Sequence, residues 1–169
     1  IEKIMELLES RRTPINMVFT INAGNVPSNH WTQLPQNGGR IIGEACHFID
    51  LMIHLTGNLV CEVSAKNANP SNNSPIDNVT ISLKFNDGSL GIVNYFSNGP
   101  KNYSKEKYEI FVEGKVITMD NFKVTRGYGF GNFKKFRTMT QDKGHKKEIS
   151  EFLNKLKTQE ILIPFEELE

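Results

Sequence analysis

The chain has 169 residues, an apolar content of 38% and a formal net charge of +1. This length fits one domain with a sizeable core, and the near-neutral charge argues against nucleic acid or an anionic membrane surface as partners. No apolar run reaches the roughly 18 residues of a membrane span. Because the chain also has two cysteines and no charged and then apolar leader, we expect a cytoplasmic protein with reduced thiols.

Helix and strand signals alternate in the first part of the chain. Apolar residues at helical spacing predict a short helix over 1–9, and the β-branched run 15–21 predicts a strand. A long polar loop with the only Trp follows, and such loops in compact domains are usually functional or disordered. The stretch 39–56 has apolar residues three and four apart, which predicts a helix with one buried face. Residues 59–66 indicate another strand.

In the second half of the chain, apolar and polar residues alternate with a period of two. Tight turns separate these segments, which predicts an antiparallel meander of short strands. Residues 143–157 return to helical spacing. The order of elements predicts an α+β fold: an open, mostly antiparallel sheet of about six strands with helices on one face. One helix layer cannot cover all apolar strand residues, so the other face should mediate a homo-oligomer. Examples of such residues are Ile92, Tyr95, Ile110 and Val116.

The predicted helix 39–56 contains polar groups within its apolar pattern. Glu44, His47 and His54 are spaced so that they share roughly one stripe. Since unpaired polar groups are costly to bury, a carboxylate and an imidazole one turn apart require an explanation. An imidazole oriented by a carboxylate is suited to removing a proton from an alcohol near neutral pH. A lone helical histidine is more often a satisfied core residue, and both interpretations stay open at this point.

Three other interpretations are weaker. Glu44 and His47 have the spacing of a di-iron bundle, but the second copy and the further carboxylate helices are missing, so we expect no metal. Gly38-Gly39 has no strand directly before it and Gly127–Gly131 has no helix behind it, so neither fits a dinucleotide-binding loop. The basic residues within 134–147 could form a nucleic-acid-binding face, but a solvated strand edge and helix face explain them as well.

The stretch from Asn22 to Leu51 resembles a known family. Asn22-Ala23-Gly24, Pro27, His30-Trp31 and the continuous run 38–51 (GGRIIGEACHFIDL) are similar to the glucose–fructose oxidoreductase/inositol dehydrogenase (Gfo/Idh/MocA) family. Within the family they resemble a branch of bacterial two-part oxidoreductases of surface-sugar pathways. The resemblance covers nearly the whole chain as the C-terminal substrate-binding and oligomerisation domain. It implies the fold of a glyceraldehyde-3-phosphate dehydrogenase-like C-terminal domain.

The resemblance also implies what accompanies this domain. Family members carry an N-terminal Rossmann domain that binds NAD or NADP and supplies a catalytic Lys. We therefore expect 1–14 to be a linker helix from such a domain and 15–169 to be the substrate-binding and oligomerisation domain. The cofactor would be bound mainly by the Rossmann domain, with none expected on this chain alone. The implied activity is an NAD(P)-dependent dehydrogenase in sugar metabolism, acting on a sugar, cyclitol or nucleotide-sugar hydroxyl.

The resemblance assigns roles to single residues. The family usually has an Asp four residues before its catalytic His; here the His is His47, that position is Gly43, and the carboxylate is Glu44. We expect His47 to be the general base, supported by Glu44. The substrate-binding candidates are Asn22, Asn25, His30, Trp31 and Arg40. Trp31 would stack on a sugar ring and Arg40 would bind a phosphate or carboxylate, with a packing role as the alternative for both.

A non-enzyme function is the alternative for the whole chain. The departure at Gly43 supports a sheet-mediated oligomerisation module whose site has decayed.

Overall fold

The structure is a computed structural model that describes residues 1–27, 29–34, 38–68, 77–141, 144–158 and 161. The α-helices in these ranges are α1 (Glu2–Leu8), α2 (Cys46–Thr56) and α3 (His145–Thr158). A 3₁₀ turn (Trp31–Gln33) lies in the loop before α2, and a π-helical turn (Ile41–Ala45) leads directly into α2. The predicted helices are confirmed, except that residue 143 lies outside the described residues. None of the described helices combines the length and hydropathy needed to cross a membrane.

The strands of the described residues form one sheet with the order β2-β3-β4-β1-β5-β6-β7-β8. Their bounds are β1 (Asn16–Asn22), β2 (Val60–Asn67), β3 (Asn78–Phe85), β4 (Leu90–Phe96), β5 (Glu106–Val112), β6 (Lys115–Asp120), β7 (Val124–Tyr128) and β8 (Lys135–Arg137). β1 and β4 pair in parallel, and the other pairs are antiparallel. The predicted α+β fold with an open, mostly antiparallel sheet is confirmed. The expected number of about six strands is too low, because the edge strands β2 and β8 join the same sheet.

The period-two pattern places the core between the sheet and α2. Met17, Phe19 and Ile21 of β1 are at most 1% exposed, as expected for the inward positions of a central strand. Helix α2 lies directly on the neighbouring strand β4. A Cβ built at Gly91 of β4 would lie 2.5 Å from the Sδ atom of Met52, so a residue without a side chain permits this approach.

The other face of the sheet, called the open face below, is also partly apolar. Ile92 and Val116 lie on it, whereas Tyr95 and Ile110 are buried toward the helix layer. The prediction that these four residues divide between two faces is confirmed. Direct strand partners form one row across the open face: Leu90, Asn16, Phe111, Val116 and Tyr128. The three largest side chains of this row are 41% to 53% exposed.

Helix α3 makes a polar contact with α1. The Lys147 ammonium forms an ion pair with Glu2 of α1. The helical spacing that predicted α3 is correct, but its apolar stripe is not buried by the described elements. The residues of this stripe are 49% to 61% exposed: Ile149, Phe152, Leu153 and Leu156.

Candidate functional site

The candidate site lies where the chain enters the helix that crosses the sheet. Gly38 and Gly39 have φ angles of 74° and 70°, a left-handed conformation that glycine adopts at little cost. They lead into Arg40 and the π turn, in which the N–H of Cys46 donates to the carbonyl of Ile41, five residues back. Such π turns are frequent at functional sites. This one ends two residues before His47.

Arg40, Glu44 and Tyr95 form a charged group between the helix and the sheet, called the Arg40 cluster below. The Arg40 side chain is 2% exposed, and its Nη2 atom lies 3.5 Å from Oε2 of Glu44. The Tyr95 hydroxyl donates to the same Oε2 at 2.6 Å. The guanidinium carbon lies 5.4 Å from the centroid of the Tyr95 ring, a distance at which a cation is attracted to an aromatic face.

The same guanidinium holds the chain at the end of β1. Nη1 of Arg40 donates to the Gly24 carbonyl at 2.8 Å, and Nη2 donates to the Ala23 carbonyl at 3.1 Å. On the opposite side, the N–H of Ala23 donates to the Phe96 carbonyl of β4 at 2.8 Å. The start of the long loop is therefore fixed both to the sheet and to the helix.

The surroundings of the cluster shift two pKa values. Burial alone would raise the pKa of Glu44, but the hydrogen bond from Tyr95 and the charge of Arg40 outweigh it, so the pKa of this carboxyl lies below its usual value. Burial and the bond to Glu44 raise the pKa of the Tyr95 hydroxyl. Glu44 is thus ionised and Tyr95 protonated at neutral pH, which are the states that their hydrogen bond requires.

His47 lies beyond the π turn and faces away from the cluster. Its side chain is exposed, whereas Ala45, Phe48 and Met52 of the same helix are buried against the sheet. Among the described residues, no hydrogen bond or ion pair joins His47 to Glu44. The expected support of the imidazole by this carboxylate is not observed there, because Glu44 contacts Tyr95 and Arg40 instead.

The two asparagines that were predicted as site residues differ in their surroundings. Asn22, the last residue of β1, donates from Nδ2 to the Pro100 carbonyl and from its backbone N–H to the Lys105 carbonyl, both at 2.8 Å. A Cβ at Gly99 would lie 2.2 Å from the Asn22 Oδ1 atom, so a residue with a side chain at this position would displace the Asn22 amide. Asn25 is exposed.

His30 and Trp31 lie at the 3₁₀ turn. Nδ1 of His30 accepts from the backbone N–H of Thr32 at 3.4 Å and lies 2.8 Å from its Oγ1 atom, which caps the turn. The Trp31 side chain is 66% exposed, with its ring centroid 5.9 Å from that of His30. Gln33 joins the turn to Asp77 at 3.4 Å. The exposed indole is thus presented on a turn that is held in place by hydrogen bonds.

The structure joins only some of the predicted site residues. Arg40 and Glu44 are in direct contact, and Asn22 directly precedes the carbonyls that Arg40 holds. Within the described ranges, no hydrogen bond connects His30 or His47 to the cluster, and no group of His, Cys, Asp and Glu there could hold a metal ion.

Tyr95 is the site residue that sequence reasoning missed. In the sequence it stands with Ile92 among several apolar strand residues. An odd number of positions separates the two, so they face opposite sides of the strand. The period-two register of Val93 and Tyr95 was the available signal, since both are buried on the helix side.

Comparison with known proteins identifies the domain. A sequence profile described as the GFO/IDH/MocA C-terminal domain matches residues 13–118. The comparison with curated protein sequences gives no match. The structure resembles the UDP-N-acetylglucosamine 3-dehydrogenase GnnA from Acidithiobacillus ferrooxidans, with a TM-score of 0.69 and 17% identity over 92% of this chain and 49% of that chain.

Two further solved structures show the same fold. GenD2 from gentamicin A biosynthesis, in complex with NAD, has a TM-score of 0.69 and 15% identity over 98% of this chain and 53% of its own. The super-repressor mutant of Gal80p from Saccharomyces cerevisiae has a TM-score of 0.69 and 11% identity over 95% of this chain and 50% of its own. The chain spans about half the length of these three structures. Because the profile match covers more than half of the sequence, the chain belongs to the GFO/IDH/MocA C-terminal domain family.

Proposed function

We propose that this chain is the substrate-binding part of an NAD(P)-dependent oxidoreductase that acts on a hydroxyl of a sugar, cyclitol or nucleotide sugar. The observation that carries the proposal is the exposed imidazole of His47, directly behind the π turn, in a domain that belongs to the GFO/IDH/MocA family. The names of GnnA and GenD2, a nucleotide-sugar dehydrogenase and a protein in complex with NAD, support this substrate class and cofactor.

The proposed role of His47 is that of a general base. Oxidation of an alcohol removes a proton from oxygen and a hydride from carbon, and a bound nicotinamide supplies the acceptor for the hydride. An unprotonated ring nitrogen of His47 would take the proton of the hydroxyl. An outward-facing imidazole can meet a substrate that approaches from outside the helix layer. A histidine buried between the helix and the sheet could not do so.

We assign the cofactor to another domain of the full-length protein. A dinucleotide pyrophosphate is usually held by a glycine-rich turn between a strand and a helix. Among the described elements, the last strand before Gly38 and Gly39 ends at Asn22, and Gly127 lies within β7, which is followed by the strand β8. These glycines do not fit a pyrophosphate. In our proposal this chain therefore binds the substrate and removes the proton of its hydroxyl.

Trp31 and Asn25 are the proposed substrate contacts on the loop side. The indole of Trp31 is 66% exposed, and an exposed aromatic ring offers a flat apolar surface for the face of a sugar ring. The Asn25 side chain is also exposed, and its amide could donate to and accept from substrate hydroxyls. His30 would act through the turn that it caps.

The test uses full-length protein with UDP-N-acetylglucosamine or myo-inositol as substrate and NAD or NADP as acceptor, with reduced nicotinamide as the readout. Wild-type protein should oxidise at least one of these substrates, and His47→Asn should abolish most of that turnover. His54→Asn is the matched control, because His54 is also exposed on α2, two turns further along. Absence of turnover with all four substrate and acceptor pairs, or near-normal turnover of His47→Asn, would contradict the proposal.

The second candidate is a self-association module without catalysis. The observation that favours it is the exposed apolar row on the open face, which includes Phe111 and Tyr128. Self-association alone does not exclude catalysis, so the His47→Asn measurement decides between the two candidates. Normal self-association together with an inactive wild-type protein would favour the module.

A further inference from the structure

Arg40 has its charge almost completely buried. Its side chain is 2% exposed, and a buried cation is tolerated only when it is paired and hydrogen-bonded. The Glu44 carboxylate, the Tyr95 ring and two backbone carbonyls supply that compensation. A group in this position does not meet a substrate phosphate or carboxylate unless the cluster is taken apart.

Arg40 connects two parts of the proposed site, the loop that begins at Ala23–Gly24 and the helical segment that continues to His47. The carbonyls of Ala23 and Gly24 begin the loop that presents Asn25 and Trp31. Gly24 has a φ of 71°, so the chain turns sharply there. Arg40 itself begins the helical segment that continues to His47. The planar fork of a guanidinium fixes two neighbouring carbonyls at once, which a lysine ammonium does with less directionality.

Glu44 and Tyr95 hold the guanidinium in this position. Among the described residues, both contacts of the Glu44 carboxylate fall on Oε2, at 2.6 Å from the Tyr95 hydroxyl and 3.5 Å from Arg40. Tyr95 belongs to β4, which pairs with β1. The cluster therefore connects the central strands to the loop and to the helix.

We propose that Arg40 is a positioning residue: with Glu44 and Tyr95 it fixes the segment Ala23–Gly24 relative to the helix that carries His47, and it does not contact the substrate. The catalytic part of this inference rests on the proposed function, whereas its structural part does not. It also assigns Glu44 to holding Arg40 instead of to proton transfer.

The chain offers a matched control at the other end of α2. Arg11 donates to the Thr56 carbonyl at 2.6 Å and to the Thr13 carbonyl at 3.1 Å, and it pairs with Asp87 at 3.3 Å. It therefore has the same types of partner, two carbonyls and one carboxylate, but its side chain is 19% exposed and it lies at the end of the helix that is far from His47. Variants of Arg11 should reduce stability without affecting the candidate site.

The experiment compares Arg40→Lys and Arg40→Met with Arg11→Lys and Arg11→Met in full-length protein. Hydrogen–deuterium exchange should become about tenfold faster over residues 22–27 in both Arg40 variants and stay unchanged there in the Arg11 variants. If Arg40→Met does not fold, Arg40→Lys supplies the measurement. Unchanged exchange over 22–27 in a folded Arg40 variant would overturn the proposal.

Kinetics separate positioning from direct contact with the substrate. A positioning role predicts that Arg40→Lys lowers kcat/KM by about tenfold for each substrate that the wild-type protein oxidises, charged UDP-N-acetylglucosamine or neutral myo-inositol, while Arg11→Lys stays within about twofold. Where both are oxidised, a loss confined to the charged substrate would overturn the proposal in favour of direct contact; where only one is oxidised, the exchange measurement decides. If wild-type protein oxidises neither substrate, the proposed function fails, and the exchange measurement still decides the role of Arg40.

Discussion

Glu44 and His47 are three residues apart in one helical segment, yet the fold gives them different partners. The carboxylate is 32% exposed, accepts a hydrogen bond from Tyr95 and lies beside Arg40, whereas the imidazole is exposed and has no hydrogen bond among the described residues. A polar group that faces the core and is hydrogen-bonded contributes to the folded state, and its loss should reduce stability. A polar group that faces outward contributes little to stability, so its loss should show in turnover.

The largest expected effect is the loss of turnover when the exposed His47 is replaced. His47→Ala in full-length protein should reduce kcat by roughly 10²–10⁴-fold, because a general base contributes about this factor. The melting temperature should stay close to that of wild type, since the side chain is exposed and has no hydrogen bond or ion pair among the described residues. Steady-state kinetics and thermal unfolding of the same sample measure kcat and the melting temperature. A loss of stability as large as that of a core variant would show that His47 is structural.

On the inward side, Tyr95→Phe removes the hydroxyl that donates to Glu44. Leaving this carboxylate with one partner fewer should lower the free energy of unfolding by about 1–3 kcal/mol, the range for hydrogen bonds to charged groups. Urea unfolding of the domain measures it. Tyr103→Phe is the control, because the Tyr103 hydroxyl contacts Lys107 at 2.8 Å on a side chain that is 51% exposed. An equal loss of unfolding free energy in Tyr95→Phe and Tyr103→Phe would contradict a special role for the hydrogen bond between Tyr95 and Glu44.

Gly43 and Gly39 test whether the outward side of the segment has room for a carboxylate. A Cβ at either position meets no atom within 4 Å, but Gly39 has a φ of 70°. We therefore expect Gly39→Asp to lower the free energy of unfolding by about 1–2 kcal/mol, and Gly43→Asp to leave it within about 0.5 kcal/mol. Turnover of Gly43→Asp should be at least that of wild type, because the new carboxylate lies on the same side as His47. Equal destabilisation of both variants would show that position 43 is not open.

The lowered pKa of Glu44 predicts a dependence of stability on acid. A carboxyl whose pKa is lower in the folded state stabilises the protein above its unfolded value, taken as 4.5, and this contribution is lost as pH falls through the folded pKa. Glu44→Gln removes the titration, so its stability should fall less steeply than that of wild type below that pH. Thermal unfolding across a pH series checks this. Parallel curves for the two proteins would contradict the assigned environment of Glu44.

The smallest effect on folding is expected on the open face of the sheet. Phe111→Asp places a charge on a side chain that is already 41% exposed, so the free energy of unfolding should change by less than about 0.5 kcal/mol. If the open face mediates self-association, the same change should lower the molar mass measured by light scattering. Phe136→Asp on the edge strand β8 is the control, at 48% exposure. A monomeric wild-type protein would contradict the expected homo-oligomer.

Much of the fold could be predicted because its signals are local. Alternation with period two depends only on the order of residues, and it predicted the antiparallel meander of short strands in the second half of the chain, where β3 to β8 lie. The parallel pairing of β1 with β4 could not be predicted in this way. It joins residues more than 70 positions apart, and no local pattern specifies which strands become neighbours.

The sequence by itself determined that residues 39–56 form a helix and that this helix contains a carboxylate and an imidazole. It did not determine which way they face, because apolar residues surround the helix almost completely and Ile42, for example, is 69% exposed. Only packing on the sheet selected Ala45, Phe48 and Met52 as the inward side. At about 100° per residue, positions three apart lie about 60° from each other around a helix, so this choice leaves Glu44 next to Tyr95 of the sheet and His47 exposed. The contacts with Tyr95, Ala23 and Gly24, which are distant in sequence, then gave Arg40 and Glu44 their partners.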